Sequence, residues 1–349
     1  MARVRIALAG AGMIGRRHAE LIGASDECAL AAIVDPAPGA AALARSAGAP
    51  HYETLSALLA AARPDGVILA TPNALHVEQA LQCIDAGVAV LVEKPVAHTV
   101  AAGEALRAAA DGARARVLVG HHRRHSAIMD RACEIVAGGT LGPLVAVMGS
   151  ALFYKPDSYF DEAPWRRQAG GGPVLINMIH EIGNLRSLCG EIVAVQAFAS
   201  NSTRGFAVED TVAIGLRFAS GALGTFMLSD TAASPRSWEQ TSGENKTYAT
   251  YPDEDCYVIA GTMGSLAVPS MRLKVYPRPE DRSWWKPFTT GVAALAEADP
   301  LVRQLAHFCA VIRGEAAPLV TIRDGLANLK VTEAIAEAAR TGAIVRIDH

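Results

Sequence analysis

Val4-Arg5-Ile6-Ala7-Leu8-Ala9-Gly10-Ala11-Gly12-Met13-Ile14-Gly15 is the stretch on which the fold turns. Val4–Ala9 is a short, almost continuously apolar run and reads as a buried strand. Ile14–Ile22 has helical spacing and follows at once. Between them lies GxGxxG, a pattern that carries a mechanism when it leaves a strand and opens a helix. Gly10 permits the tight turn, Gly12 lets the backbone approach a pyrophosphate, and Gly15 lets the helix pack on the strand. The N–H groups of Met13 and Ile14, at the positive end of the helix dipole, suit phosphate charge. Asp35 ends the next strand about 20 residues beyond Gly15, where a carboxylate accepts ribose hydroxyls. It would repel a 2′-phosphate, so NAD is expected rather than NADP.

The same alternation continues outward. Leu30–Val34, Val67–Ala70, Ala89–Val92 and Val117–Val119 read as strands apolar on both faces, as in a parallel sheet covered by helices. Ala40–Ser46, Leu55–Ala62, His76–Ala86 and Val100–Ala110 read as the helices between them, with Gly23, Gly48 and Gly87 as stops. The pattern predicts right-handed βαβ crossovers in an α/β, doubly wound Rossmann sheet. Ligands bind such sheets at the carboxyl ends of the strands. Two loops there join the candidate cofactor site: Thr71-Pro72-Asn73, leading to His76, and Glu93-Lys94-Pro95.

After Gly120 the texture changes. A helix at Ala127–Ala137 precedes a strand at Leu144–Ser150, then an irregular loop over Phe153–Arg167 and a helix from Pro173 to Leu188. Strand-like runs follow at Val193–Ser200, Thr211–Phe218, Gly224–Ser229, Cys256–Ala260, Ser265–Val268 and Arg272–Tyr276. Phe218–Leu223 reads as a hairpin turn, with Gly221 at the position that needs positive φ. Strands without alternating helices predict an α+β domain with a large open, mainly antiparallel sheet. Two helices, Leu301–Arg313 and Gly325–Arg340, close the chain. The expected division is 1–121 for dinucleotide binding and 122–349 for substrate binding and oligomerisation.

Composition narrows the class. The chain is 51% hydrophobic with only 19% charged residues, enough apolar surface to offset ordering entropy. Lys and Arg number 32 against 35 Asp and Glu, so no basic excess speaks for nucleic acid or an anionic membrane. Arg3 and Arg5 ahead of Ile6–Gly15 imitate a signal sequence, but the glycines fit a strand and turn better. The six cysteines are widely spaced and form no metal-ligand pattern, so no metal is expected and the reading is a cytoplasmic protein with reduced thiols.

The segments GAGMIGRRH, ATPNALH and VEKPV, with Gly170–Gly172 and His180 downstream, resemble the Gfo/Idh/MocA oxidoreductases. The resemblance spans nearly the whole chain and implies an NAD-dependent dehydrogenase acting on CH–OH groups. It points to Lys94 as the lysine beside nicotinamide and substrate hydroxyl, and to His180 as the catalytic histidine. Trp165 and Arg166 resemble a family segment near the nicotinamide. The aspartates usual four residues before and three after that histidine are absent, replaced by Ile176 and Gly183. On an α-helix Asn177 and Asn184 would share the face of His180, at i−3 and i+4. An amide binds a hydroxyl but takes no proton at neutral pH, which leaves the base role to His180 with Lys94, or to Lys94 alone.

Further substrate-side candidates are His122 and Arg123, which follow the last Rossmann strand together with Arg124, and Tyr154, Lys155 and Tyr159 in the loop after Leu152. For Arg123 an ordinary surface arginine is the alternative. Trp238 and Tyr248 either cap the site or pack. The leading substrate class is a sugar, cyclitol or related polyol. One alternative is a non-sugar dihydrodiol or an anionic hydroxy compound, suggested by the basic residues and the lost aspartates. Another is a non-catalytic NAD-binding regulatory protein. A homodimer or homotetramer through the C-terminal sheet is expected, with no nucleic-acid or membrane partner. Lys94 and His180, from separate lobes, are expected to meet at the reactive carbon of the coenzyme.

Overall fold

A computed structural model describes residues 2–348. The chain divides into two compact units, one running to His125 and including Pro300–Leu329, the other comprising Ser126–Asp299 and the chain from Lys330.

In the first unit β1 (Val4–Ala9), β2 (Cys28–Val34), β3 (His51–Tyr52), β4 (Gly66–Leu69), β5 (Ala89–Glu93) and β6 (Val117–Gly120) form one sheet. The order is β3-β2-β1-β4-β5-β6 and every pairing is parallel. The helices α1 (Met13–Ala24), α2 (Ala40–Ser46), α3 (Leu55–Ala61), α4 (His76–Asp85) and α5 (Val100–Ala113) are the crossovers. The strand order reverses between β1 and β4, which makes their carboxyl ends the crevice of a doubly wound sheet. Ile6, Leu8, Ile68, Leu69, Leu91 and Leu118 are wholly buried, as strands covered on both faces require.

Gly48 and Gly87 stop their helices at φ near 65°. Gly23 does not: α1 runs through it to Ala24 and ends at extended Ser25. A helical glycine costs only about 1 kcal/mol relative to alanine, too little to end a helix whose apolar face is still packed. The two-residue β3 is too short to show a periodicity. The late helix Pro300–Arg313 and the start of the helix Ile322–Thr341 belong to this unit, not to the second as the change of pattern suggested. Phe308 and Ile312 lie over Gly66, Gly325 packs on Val96 and Val119, and Arg116 donates to the Ile312 carbonyl at 2.7 Å. Periodicity shows that a helix has an apolar face but not which sheet that face covers.

The second unit holds β7 (Leu144–Leu152), β8 (Ile192–Ser200), β9 (Thr211–Phe218), β10 (Leu223–Ser229), β11 (Tyr257–Gly261), β12 (Gly264–Val268), β13 (Arg272–Val275), β14 (Thr289–Val292) and β15 (Val345–Arg346). They form a nine-stranded sheet in the order β14-β13-β12-β11-β7-β10-β9-β8-β15, antiparallel except for β7 with β10. Gly221 turns the β9–β10 hairpin at φ 91°. One face is core: Val147, Val212, Ile214, Phe226 and Ile259 pack with residues of α6 (Ala127–Ala137) and of the Ile322–Thr341 helix. The other face is bare, with Phe198 at 72% and Met148 at 60% exposure. The loop Phe153–Arg167 contains a helical turn, α7 (Asp157–Asp161), and a 3-10 turn at Pro164–Arg167. The expected helix from Pro173 is a π-helical turn over Val174–Met178 that passes into α8 (Ile179–Cys189). A last short helix, α9 (Trp238–Thr241), follows β10.

Candidate active site

The glycine turn has the shape its sequence implies. Gly10 sits at φ 97°, and a Cβ on it would collide with the Ala70 carbonyl; a Cβ on Gly15 would collide with the Gly10 carbonyl. At Gly12 a Cβ would meet nothing within 4 Å, so the space in front of this residue is open. Gly12 is also the N-cap of α1, no side chain caps that helix, and its first turn has no acidic residue. An uncapped helix start facing open space, with Met13 and Ile14 in its first turn, fits the pyrophosphate of NAD.

Asp35 follows β2 and is fixed to this turn. Its Oδ2 accepts from Ala11 N and its Oδ1 from Ala37 N, both at 2.7 Å. Each oxygen keeps a lone pair for a ribose hydroxyl. Across the switch point, Thr71 and Asn73 are half-buried and Pro72 is exposed. Thr71 Oγ1 donates to Gln79 Oε1 at 2.6 Å.

His76 does not take the cofactor-binding place expected of it. The ring is buried, with Nδ1 at 2.8 Å from the Pro95 carbonyl and Nε2 at 2.9 Å from the Thr71 carbonyl. Each nitrogen faces a carbonyl oxygen, so His76 lies between the loop after β4 and the loop after β5, and the one N–H of its neutral ring goes to a carbonyl rather than to a ligand. Glu93 differs likewise. Its carboxylate is 6% exposed and turned inward, Oε1 lying 2.8 Å from Nε2 of His18 on α1. Burial pushes this carboxyl up, but the hydrogen bond and charge of His18, then His122 and Lys94, hold it below the usual range. Gly120 on β6 makes the room, since a Cβ there would come 2.9 Å from Glu93 Oε2. Lys94 next in sequence is half-buried. His18 and Gly120 were missed by sequence reasoning; a histidine three residues beyond the last glycine of GxGxxG was the available signal.

His122 and Arg123 lie in a 3-10 turn directly after β6. Arg123 is 4% exposed, which overturns the surface-arginine reading. Beside it His125 is buried and its pKa pushed down to about 3, chiefly by burial and then by His307, Arg124, Arg303 and His122.

The second unit carries its own polar group. Lys155 Nζ donates to Oδ1 of Asn177 at 2.7 Å and lies 4.9 Å from the centre of the Tyr159 ring. Arg166 also stacks over Tyr159, at 3.7 Å from its ring centre. The Lys155 backbone is held by Arg204, whose Nη2 donates to the Lys155 carbonyl at 2.7 Å and whose Nε donates to Asp230 at 2.9 Å. Burial raises the Asp230 carboxyl, against Arg204 and Lys155. His180 stands half-buried at the start of α8, one turn after Asn177. Asn184 has another duty: it donates to the Tyr257 hydroxyl at 3.0 Å, and that hydroxyl donates to Glu181 within the core. The amides therefore serve different partners. Trp165 and Tyr154 are exposed, and Arg204 lies 5.4 Å from the Tyr154 ring centre. Trp238 packs in the core, its indole N–H donating to Glu244 at 2.9 Å, while Tyr248 is exposed.

A cleft of about 470 Å³ at the amino ends of the first sheet is lined by Arg3, Arg63, Arg116 and Arg313. Arg3 donates to Ser25 O, Arg63 to Ala86 O and Arg116 to Ile312 O, all at helix carboxyl ends. These cations complement helix dipoles. Among the described residues no group of three His, Cys, Asp or Glu side chains is placed to hold a metal ion, and no helix is long and apolar enough to cross a membrane.

Comparison with known proteins agrees with the two-part fold. Residues 4–121 match the family model for the NAD-binding Rossmann fold of the oxidoreductase family, and residues 129–267 match the GFO/IDH/MocA C-terminal domain. The chain is 28% identical over 297 residues to 1,5-anhydro-D-fructose reductase of Ensifer adhaerens, covering 81% of this chain and 80% of that protein. It is 30% identical over 236 residues to 4-carboxy-2-hydroxymuconate-6-semialdehyde dehydrogenase of a Sphingobium species, covering 65% and 72%. Among solved structures, the WlbA dehydrogenase of Bordetella pertussis in complex with NADH and UDP-GlcNAcA superposes with a TM-score of 0.78 at 26% identity, covering all of both chains. The chain is a member of the NAD-binding Gfo/Idh/MocA oxidoreductase family.

Proposed function

We propose that this protein transfers hydride between nicotinamide and the secondary alcohol or ketone of a sugar or cyclitol, with Lys94 and His180 as its acid–base groups. The observation that carries the reading is the uncapped α1 start at Gly12, with Asp35 fixed to the same turn. Bound NAD supplies the hydride acceptor. In the alcohol-oxidising direction His180 takes the hydroxyl proton, its imidazole being suited to this near neutral pH. Lys94 donates a hydrogen bond to the same oxygen and steadies its developing charge. Asn177, whose amide oxygen is occupied by Lys155, offers its N–H group to a second oxygen of the substrate. Gly10, Gly12, Met13, Ile14, Gly15, Asp35, Thr71, Pro72 and Asn73 bind the cofactor, with Asp35 selecting NAD over NADP. Trp165 and Arg166 are assigned to the nicotinamide side.

The anionic hydroxy compound remains a second reading, favoured by Lys155 beside Asn177 and by the buried guanidinium of Arg123. The Sphingobium relative, by its name, acts on a carboxylated compound. Cofactor binding is assigned to the first unit, substrate binding and self-assembly to the second. The bare sheet face with Val145, Met148, Phe198 and Leu223 supports a homodimer or homotetramer. A cytoplasmic location fits the cysteines, none of which is in a disulfide among the described residues. A panel of polyols, cyclitols and hydroxy acids, followed by NADH absorbance, tests the assignment. Turnover of neutral polyols is expected, and turnover confined to carboxylated substrates would transfer it to the second reading. NAD binding with no turnover on any substrate would favour a regulatory protein.

A further inference from the structure

The buried contact between His18 and Glu93 has no place in the chemistry above. It joins helix α1, which starts at the dinucleotide turn, to the carboxyl end of β5, one residue before Lys94. Both partners are nearly inaccessible, His18 at 2% exposure and Glu93 at 6%. Taking a carboxylate out of water costs several kcal/mol, and an apolar pair of the same volume often serves the fold as well. A second feature accommodates the same carboxylate: Gly120, where any side chain would press on Glu93. Two strands and a helix are thus arranged around one inward carboxylate. The charged and titratable groups that act on it are His18 from α1, His122 from the turn after β6, and Lys94.

We propose that His18 is a positioning residue for the reaction, acting through the buried Glu93 carboxylate on the proton affinity and placement of the Lys94 ammonium. This rests on the assignment of Lys94 to the chemistry. The His18 Nε2–H bond stabilises the ionised Glu93, and the ionised Glu93 stabilises the charged form of its neighbour Lys94. Without the imidazole the carboxylate, deeply buried, takes up a proton, and Lys94 loses a negative neighbour. The lysine then deprotonates at lower pH.

The test uses the full-length protein and reads Lys94 directly. The pH dependence of Lys94 acylation by acetic anhydride, followed by mass spectrometry, gives the titration midpoint of this lysine without any turnover. His18→Leu and Glu93→Gln should both move the midpoint down by about one pH unit and lower kcat more than they raise KM. His18→Gln, whose amide N–H reaches the same oxygen, should recover most of the midpoint. A midpoint unmoved in both His18→Leu and Glu93→Gln would overturn the proposal, as would a His18→Gln protein titrating like His18→Leu. Failure of the underlying assignment looks different: Lys94→Ala would retain turnover while the labelling shifts persist. Circular dichroism of each variant separates loss of fold from loss of coupling.

Discussion

Lys155 Nζ donates to the side-chain oxygen of Asn177 at 2.7 Å, and this contact fixes which end of the amide remains for a ligand. Asn177 belongs to a π-helical turn, a feature often found at functional sites, and it stands one turn ahead of His180. With one lone pair of that oxygen engaged, the amide N–H2 is the end left to donate to a ligand. Asn177→Leu removes that donor and should raise KM for substrate about 3–10-fold with kcat nearly kept, the worth of one neutral hydrogen bond. Steady-state kinetics on the best polyol checks this; a loss confined to kcat would place the amide in the transition state instead.

Gly10 and Gly12 should separate fold from ligand. Gly10→Ala puts a methyl group against the Ala70 carbonyl at a φ that L residues avoid, and should destabilise the protein by roughly 2–4 kcal/mol. Gly12→Ala meets nothing within 4 Å and should leave stability within about 1 kcal/mol. It should nevertheless weaken NAD by about tenfold or more, because the methyl stands where the pyrophosphate approaches. Thermal melts and calorimetric NAD titrations of both variants are the measurement.

Asp35 has two effects that one substitution should expose together. Asp35→Ala strands the backbone donors of Ala11 and Ala37, worth about 1–2 kcal/mol of stability. It also removes the charge that repels a 2′-phosphate, so the ratio of NADP to NAD affinity should rise. Tighter NADP than NAD binding by the unsubstituted protein would contradict the role given to this carboxylate.

His125 makes stability depend on pH. Its ring is buried 5.2 Å from that of His307, and its pKa lies at about 3, below the ordinary histidine value. Between those two values the unfolded chain binds more protons than the folded one. Stability from this group is therefore complete above the unfolded value and is lost as pH falls toward the folded one. Melts taken from about pH 8 down to about pH 5 should lose up to ~1.4 kcal/mol per pH unit in the lower part of the range. His125→Phe should flatten that slope; an unchanged slope would show that other groups set it.

Much of this was legible in the sequence, and the rest was hidden for identifiable reasons. The strand at Val4–Ala9, the glycine turn and the helix behind it are local, dictated by neighbours in the chain, and the parallel unit follows from repeating them. Seven of the nine strands of the second sheet were readable as strand-like runs, among them Gly224–Ser229. Contacts between residues far apart in sequence were not readable. Nothing local in Glu93 says that it turns to His18, or in His76 that its ring lies between the carbonyls of Thr71 and Pro95. The π turn before α8 escaped because a wider turn leaves the apolar spacing almost unchanged. β14 and β15 are short and exposed at the sheet edges, so burial left little pattern on them.

Lys94 and His180 are proposed to assist hydride transfer together. Single-turnover NADH formation should be measured for Lys94→Ala and His180→Ala alongside calorimetric NAD binding, with the best substrate of the panel. Each variant should bind NAD within a few-fold of the unsubstituted protein and form NADH about 10²–10⁴ times more slowly. NADH formed at the original rate by either variant would contradict that joint role.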